Sequence, residues 1–208
     1  MALEGTHIRL AVDMLDRYDI QDMGAYISGT IYPDSRYVTK IERSLTHDAS
    51  YLEKDFAQDD FRKGWQLHLL CDDIQLRFIR DLLNAGDQVI EQGGDLWVNV
   101  TAVKILQEIS DLTTFDITAY LQYIKPSLSP NGEDVEGLKK YYGELKDLYT
   151  KKKLQPEDYG NIFRSFGIPE NVSDAVFIRC VEFQKDEAKM KIIGGLYNKI
   201  LEEVKSHN

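Results

Sequence analysis

His68 and Asp72 stand four residues apart, an H-x-x-x-D pair inside a stretch of helical periodicity. On a helix that spacing points both side chains the same way. Imidazole nitrogen and carboxylate oxygen together suit zinc and related divalent cations. His7, His47 and His68 all fall in the first third of the chain, and the fourth histidine, His207, reads as a frayed tail. A dication needs more donors than one pair supplies. Asp34, after Pro33, and His47, in Thr46-His47-Asp48, lie on irregular segments able to curl toward a helix face. His7 can complete the set or hold a second ion, with the two oxygens of Asp72 bridging. Asp48 and Asp73 are spare carboxylates, suited to orienting an imidazole from behind.

The pair shares its helix stripe with Trp65, Leu69 and Leu76, which should face the core. An ionised carboxylate there is costly unless paired, hydrogen-bonded or coordinated. A metal would satisfy both side chains at once. A simple His–Asp hydrogen bond is the plain alternative, and Trp65 reads as core.

The elements that must position these groups are helical. Apolar residues recur at helical spacing over 6–18, 20–31, 60–84, 97–111, 115–125, about 135–150, 156–166 and 171–205, the last bent at Gly194-Gly195. Thr114 is the expected cap of the 115–125 helix, and Gly167 the left-handed end of the 156–166 helix. Residues 126–134, with two prolines and an Asn-Gly, mark a surface loop. Tyr141, Tyr142 and Tyr149 suggest packing with a wet tyrosine rim, and Lys151–Lys153 a solvated helix end. The expectation is an all-α, single-domain helical bundle over 1–208, with the metal motifs in 1–80.

Composition narrows the function. With 43% hydrophobic and 29% charged residues the chain can build a packed core. A net charge of −10 disfavours nonspecific binding to nucleic acid or anionic lipid. No window has the roughly 18 apolar residues of a membrane span. Cys71 and Cys180 form no framework and are expected to stay reduced, in the cytoplasm. Oligomeric state has no sequence signature here.

The motifs recur in an order that resembles a known family. Thr6-His7-x-x-x-Ala11, Gly29-x-x-x-Pro33-Asp34, Thr46-His47 and Gly64-x-x-x-His68-x-x-x-Asp72 are similar to those of the zinc-dependent phospholipase C family, an all-helical fold shared with single-strand-specific zinc nucleases. The similarity covers roughly residues 1–80. It implies that Asp34, His47, His68 and Asp72 hold one metal, and that His7 holds a neighbour sharing Asp72. The secreted enzymes use further histidines, a glutamate and the terminal amine for more zinc. This chain has no histidine between Asp72 and His207, so one or two divalent ions, zinc foremost, are expected rather than three.

The function expected is a metal-dependent hydrolase acting on a small phosphoester, with Asp34 orienting or deprotonating water and Arg36 a candidate phosphate contact. Two alternatives stand beside it. One is an HD-type phosphohydrolase built on His7, His47, Asp48 and Asp72, which leaves His68 without a purpose. The other is a non-catalytic helical binding protein with a reduced or structural metal site.

Overall fold

Helices supply all the regular structure, as the 3.6-residue recurrence of apolar side chains requires. The computed structural model describes residues 3–56, 58–126 and 128–207, and among them there is no strand. Helix α1 spans Glu4–Asp13 and α2 Met23–Ile31, followed by the one-turn helices α3 (Arg36–Thr39) and α4 (Arg43–Thr46). Next come α5 (Asp60–Leu83), α6 (Asp95–Asp111), α7 (Val135–Tyr149) and α8 (Pro156–Ser165). The chain closes with α9 (Glu170–Gln184), α10 (Glu187–Gly194) and α11 (Leu196–His207). Buried apolar residues from Leu3 to Val204 form one core cluster. No helix among the described residues is long and apolar enough to cross a membrane.

α5 is the central element. Asp59 caps it by accepting from the Arg62 N–H at 2.9 Å, and Asn84 ends it in the left-handed conformation. Its closest partner is α2, and two glycines explain how close. A Cβ on Gly29 would lie 1.9 Å from the Phe61 carbonyl oxygen, and one on Gly64 would lie 2.1 Å from the Tyr26 carbonyl oxygen. The two backbones touch where neither residue has a side chain.

Several sequence expectations change. Residues 115–125 form two 3₁₀ turns, Ile117–Ala119 and Leu121–Tyr123, rather than an α-helix. Asp116, not Thr114, supplies the cap, accepting from the Thr118 N–H. The helix expected over 171–205 is three helices. It bends at Gly194-Gly195 as expected, and also breaks near Lys185, where Asp186 caps a new start by accepting from Lys189. His207 completes α11. Gly167 does take a left-handed φ of 86°. The 126–134 segment is irregular, with Ser127 outside the described residues. Its Asn131 donates to the Tyr32 hydroxyl, and Glu133 is buried.

The tyrosines of α7 form no wet rim, because Tyr141, Tyr142 and Tyr149 are all buried. Tyr149 and Tyr159 both donate to Glu108 Oε1, at 2.8 and 2.7 Å, while Glu108 Oε2 accepts from the Thr6 N–H. The Tyr141 hydroxyl lies 2.6 Å from Glu4 Oε1 and 3.0 Å from the Ile31 carbonyl. One phenolic proton cannot serve both acceptors, so a protonated Glu4 that donates to Tyr141 satisfies the set. Burial, together with the Asp34 and Glu108 carboxylates, pushes Glu4 up to about 8.

Folded Glu4 therefore keeps a proton that the unfolded chain loses near its ordinary pKa of 4.5. Its contribution to stability is full below that value and is lost as pH rises through about 8. Glu4→Gln should remove this loss. The melting temperature of the variant relative to the parent is expected to climb between pH 5 and pH 9 in chelator. Parallel pH profiles would show that Glu4 is ionised throughout.

Candidate metal centre

Three stretches of chain meet at the solvent-side end of the α2–α5 contact. Asp34 sits in the 3₁₀ turn Tyr32–Ser35 that runs on from α2, with Pro33 fixing its start. His47 ends α4, its backbone N–H donating to the Arg43 carbonyl at 2.8 Å. His68 and Asp72 lie one turn apart on α5. Trp65, buried as expected, ties the second stretch to the third: its indole N–H donates to the Thr46 carbonyl at 2.8 Å. His7 comes from α1 and stacks on His68 with ring centroids 4.0 Å apart.

All five residues singled out by sequence are thus brought together. His47 Nε2 lies 3.7 Å from Asp34 Oδ1 and 3.9 Å from Asp72 Oδ2. His68 Nε2 lies 3.8 Å from the same Asp72 oxygen. His7 Nε2 is 3.6 Å from the other, Oδ1. Potential donor atoms form two overlapping groups, His7–His68–Asp72 and Asp34–His47–His68, each with its atoms within 4.8 Å of one another.

Each of two imidazoles is oriented through its far nitrogen. His68 Nδ1 lies 2.8 Å from the Thr30 carbonyl, so it carries the proton and leaves Nε2 as a bare acceptor. His47 Nδ1 lies 2.9 Å from the Thr46 hydroxyl. The Nε2 atoms of both rings are buried and have no hydrogen-bond partner. A buried polar atom left so is rare and calls for a bound water, ligand or ion. Zinc bonds of about 2.0–2.1 Å give a tetrahedron with edges of about 3.3 Å. The nearest histidine–carboxylate separations, 3.6 to 3.9 Å, exceed that edge by a few tenths of an ångström, and the wider ones within each group, up to 4.8 Å, must contract further on binding, so the donor chemistry suits such a cation in a site that tightens around it.

Protonation states agree with that use. Burial, with Arg43 and Arg36 nearby, outweighs the Asp34 and Asp72 carboxylates and pushes His47 down to about 4. Burial and the His7 ring hold His68 well below the usual imidazole range. Burial opposes charge on Asp34, yet attraction to neighbours that include the His68 and His47 rings holds its carboxyl below the ordinary value. For Asp72 burial is likewise outweighed, first by Lys104. At His7, burial opposes charge but Cys71 and Asp72 favour it and raise the pKa to about 10. His47 and His68 are neutral at neutral pH, whereas His7 holds its proton.

Two expected supporting residues lie elsewhere. The Asp48 carboxylate caps the following turn, accepting from the Ser50 N–H and hydroxyl at 2.9 and 2.7 Å. Asp73, one residue and 100° round the helix from Asp72, is exposed and pairs with Arg77. Thr30 and Thr46 orient the imidazoles instead. Lys104, which sequence reasoning passed over, reaches from α6 to Asp72 Oδ1 at 2.7 Å.

A cavity of about 460 Å³ opens beside the cluster. His47, Asp72, Lys104, Arg36, Arg43 and Arg80 contribute its polar lining, with Leu69, Leu76, Ile90, Trp97 and Val100 on the apolar side. Four cations against two carboxylates, Asp72 and Asp73, leave the cavity lining net positive in a chain of net charge −10.

Fold and site together define an all-α protein with a buried histidine–carboxylate cluster chemically fit for a divalent cation. Comparison with family models, with curated proteins and with solved structures finds no match.

Proposed function

We propose that the chain is a metal-dependent hydrolase of a small phosphoester, similar in its site to the zinc-dependent phospholipase C family. The observation that carries this reading is the pair of buried, unpartnered Nε2 atoms of His47 and His68 facing two carboxylates. Asp34, His47, His68 and Asp72 would hold the ion, zinc foremost. When bound, the metal supplies Lewis acidity toward a phosphoryl oxygen and lowers the pKa of water.

The chain's own residues do the rest. Arg36 and Arg43 line the cavity with Lys104 and attract an anionic ester. Arg36 is braced by its own neighbour, donating to the Tyr37 hydroxyl at 2.6 Å, which limits the entropy lost on binding phosphate. Asp34, fully buried and ionised, orients water or accepts its proton. The apolar side of the cavity excludes water from the ester's organic part.

The HD-type alternative needs Asp48 beside the ion, and that carboxylate is engaged with Ser50. The test is hydrolysis of p-nitrophenyl phosphate and bis(p-nitrophenyl) phosphate by protein loaded with zinc, manganese or magnesium. Turnover of at least one ester is expected, falling by about 100-fold or more in Asp34→Asn. No turnover with any ion, in protein that binds metal and is folded, would favour the non-catalytic binding protein.

A further inference from the structure

Two features of the cluster bear on how many ions it takes. His68 belongs to both donor groups but has a single nitrogen to give, because Nδ1 is committed to the Thr30 carbonyl. Both groups therefore cannot be filled through His68 at once. The Asp72 carboxylate is also divided. Its Oδ2 faces the Nε2 atoms of His47 and His68, at 3.9 and 3.8 Å, whereas its Oδ1 accepts from the Lys104 ammonium at 2.7 Å. Lys104 is buried, and apart from Asp72 its surroundings include the cavity wall.

A dication bonded to Oδ1 and His7 would sit within about 5 Å of that ammonium, given metal–oxygen distances of about 2.0–2.2 Å. Two buried cations so close repel strongly, since little water screens them. The ammonium cannot simply swing away, because an unpaired buried charge is costly.

We propose that Lys104 is the second cation of this centre. Its ammonium occupies the Oδ1 side of Asp72, and a single divalent ion is held on the other side by Asp34, His47, His68 and Asp72 Oδ2. A substrate anion entering the cavity meets one dication and one ammonium, where a two-metal site would offer two dications. The inference rests on the metal-centre reading above, and adds to it a stoichiometry and a residue.

The experiment is equilibrium dialysis of chelator-stripped protein against zinc, with bound metal counted by elemental analysis. The parent is expected to take one equivalent, and Lys104→Arg, which keeps the charge, also one. Lys104→Gln is expected to take two, the second through His7 and Asp72. A parent that takes two equivalents, or a folded Lys104→Gln that still takes one, overturns the role of Lys104 and leaves the metal centre standing. A parent that takes none overturns the centre itself. A measurement on the parent alone guards against a variant that fails to fold. Saturated with manganese(II), the parent should show the electron paramagnetic resonance spectrum of an isolated ion, and an exchange-coupled pair would sink the proposal.

Discussion

His68→Ala protein, purified without chelator, is expected to carry less than about a tenth of the zinc bound by the parent. No other residue belongs to both donor groups of the cluster. Its ring also edges against His47, with centroids 5.5 Å apart, and stacks on His7, so its loss frees both neighbours to rotate. Ligands that are merely second in line typically cost 10–100-fold in affinity, and a direct ligand costs more. Elemental analysis beside circular dichroism makes the check, since a folded, metal-poor variant is the expected product. Stoichiometric zinc in folded His68→Ala would favour the HD-type arrangement of His7, His47, Asp48 and Asp72.

Gly29→Ala and Gly64→Ala should each destabilise the fold by about 3 kcal/mol or more, and metal content should fall with it. The added methyl meets the Phe61 or Tyr26 carbonyl oxygen, which is helix backbone and cannot move aside by changing rotamer. The helices must separate instead. Asp34 lies five residues beyond Gly29, and His68 four beyond Gly64, so separation pulls ligands apart as well as the core. Urea unfolding followed at 222 nm, with zinc measured on the same samples, gives both numbers. An unchanged midpoint in either variant would mean that the close approach of α2 and α5 contributes little. These glycines stand in the same motifs as the candidate ligands, so one helix contact positions both.

What could be seen in the sequence divides along physical lines. The long amphipathic segment at 60–84 was legible because a single apolar stripe and an acidic cap agree, and α5 ends within a residue of it. The meeting of His7, Asp34, His47, His68 and Asp72 was legible because types, order and spacing together pointed to one chemistry. The 115–125 segment misled because its apolar residues also suit 3₁₀ turns, which Asp116 starts by folding onto Thr118. The break before Asp186 has no glycine or proline to announce it. Asp73 was misassigned although helical phase already turned it 100° from Asp72. Lys104 lies 32 residues from its partner on another helix, and only packing brings the two together.

One consequence concerns the Glu108 carboxylate. It grips the backbone of Thr6 and gathers Tyr149 and Tyr159 around the first turn of α1. Every proposed ligand is encoded before residue 73, yet the helix bearing His7 is seated by side chains from the middle and the last third of the chain. A ribosome that has released eighty residues has made all the donors, but not the Glu108, Tyr149 and Tyr159 side chains that seat the helix bearing His7. His7 therefore takes its place beside His68 only after the chain has passed Tyr159.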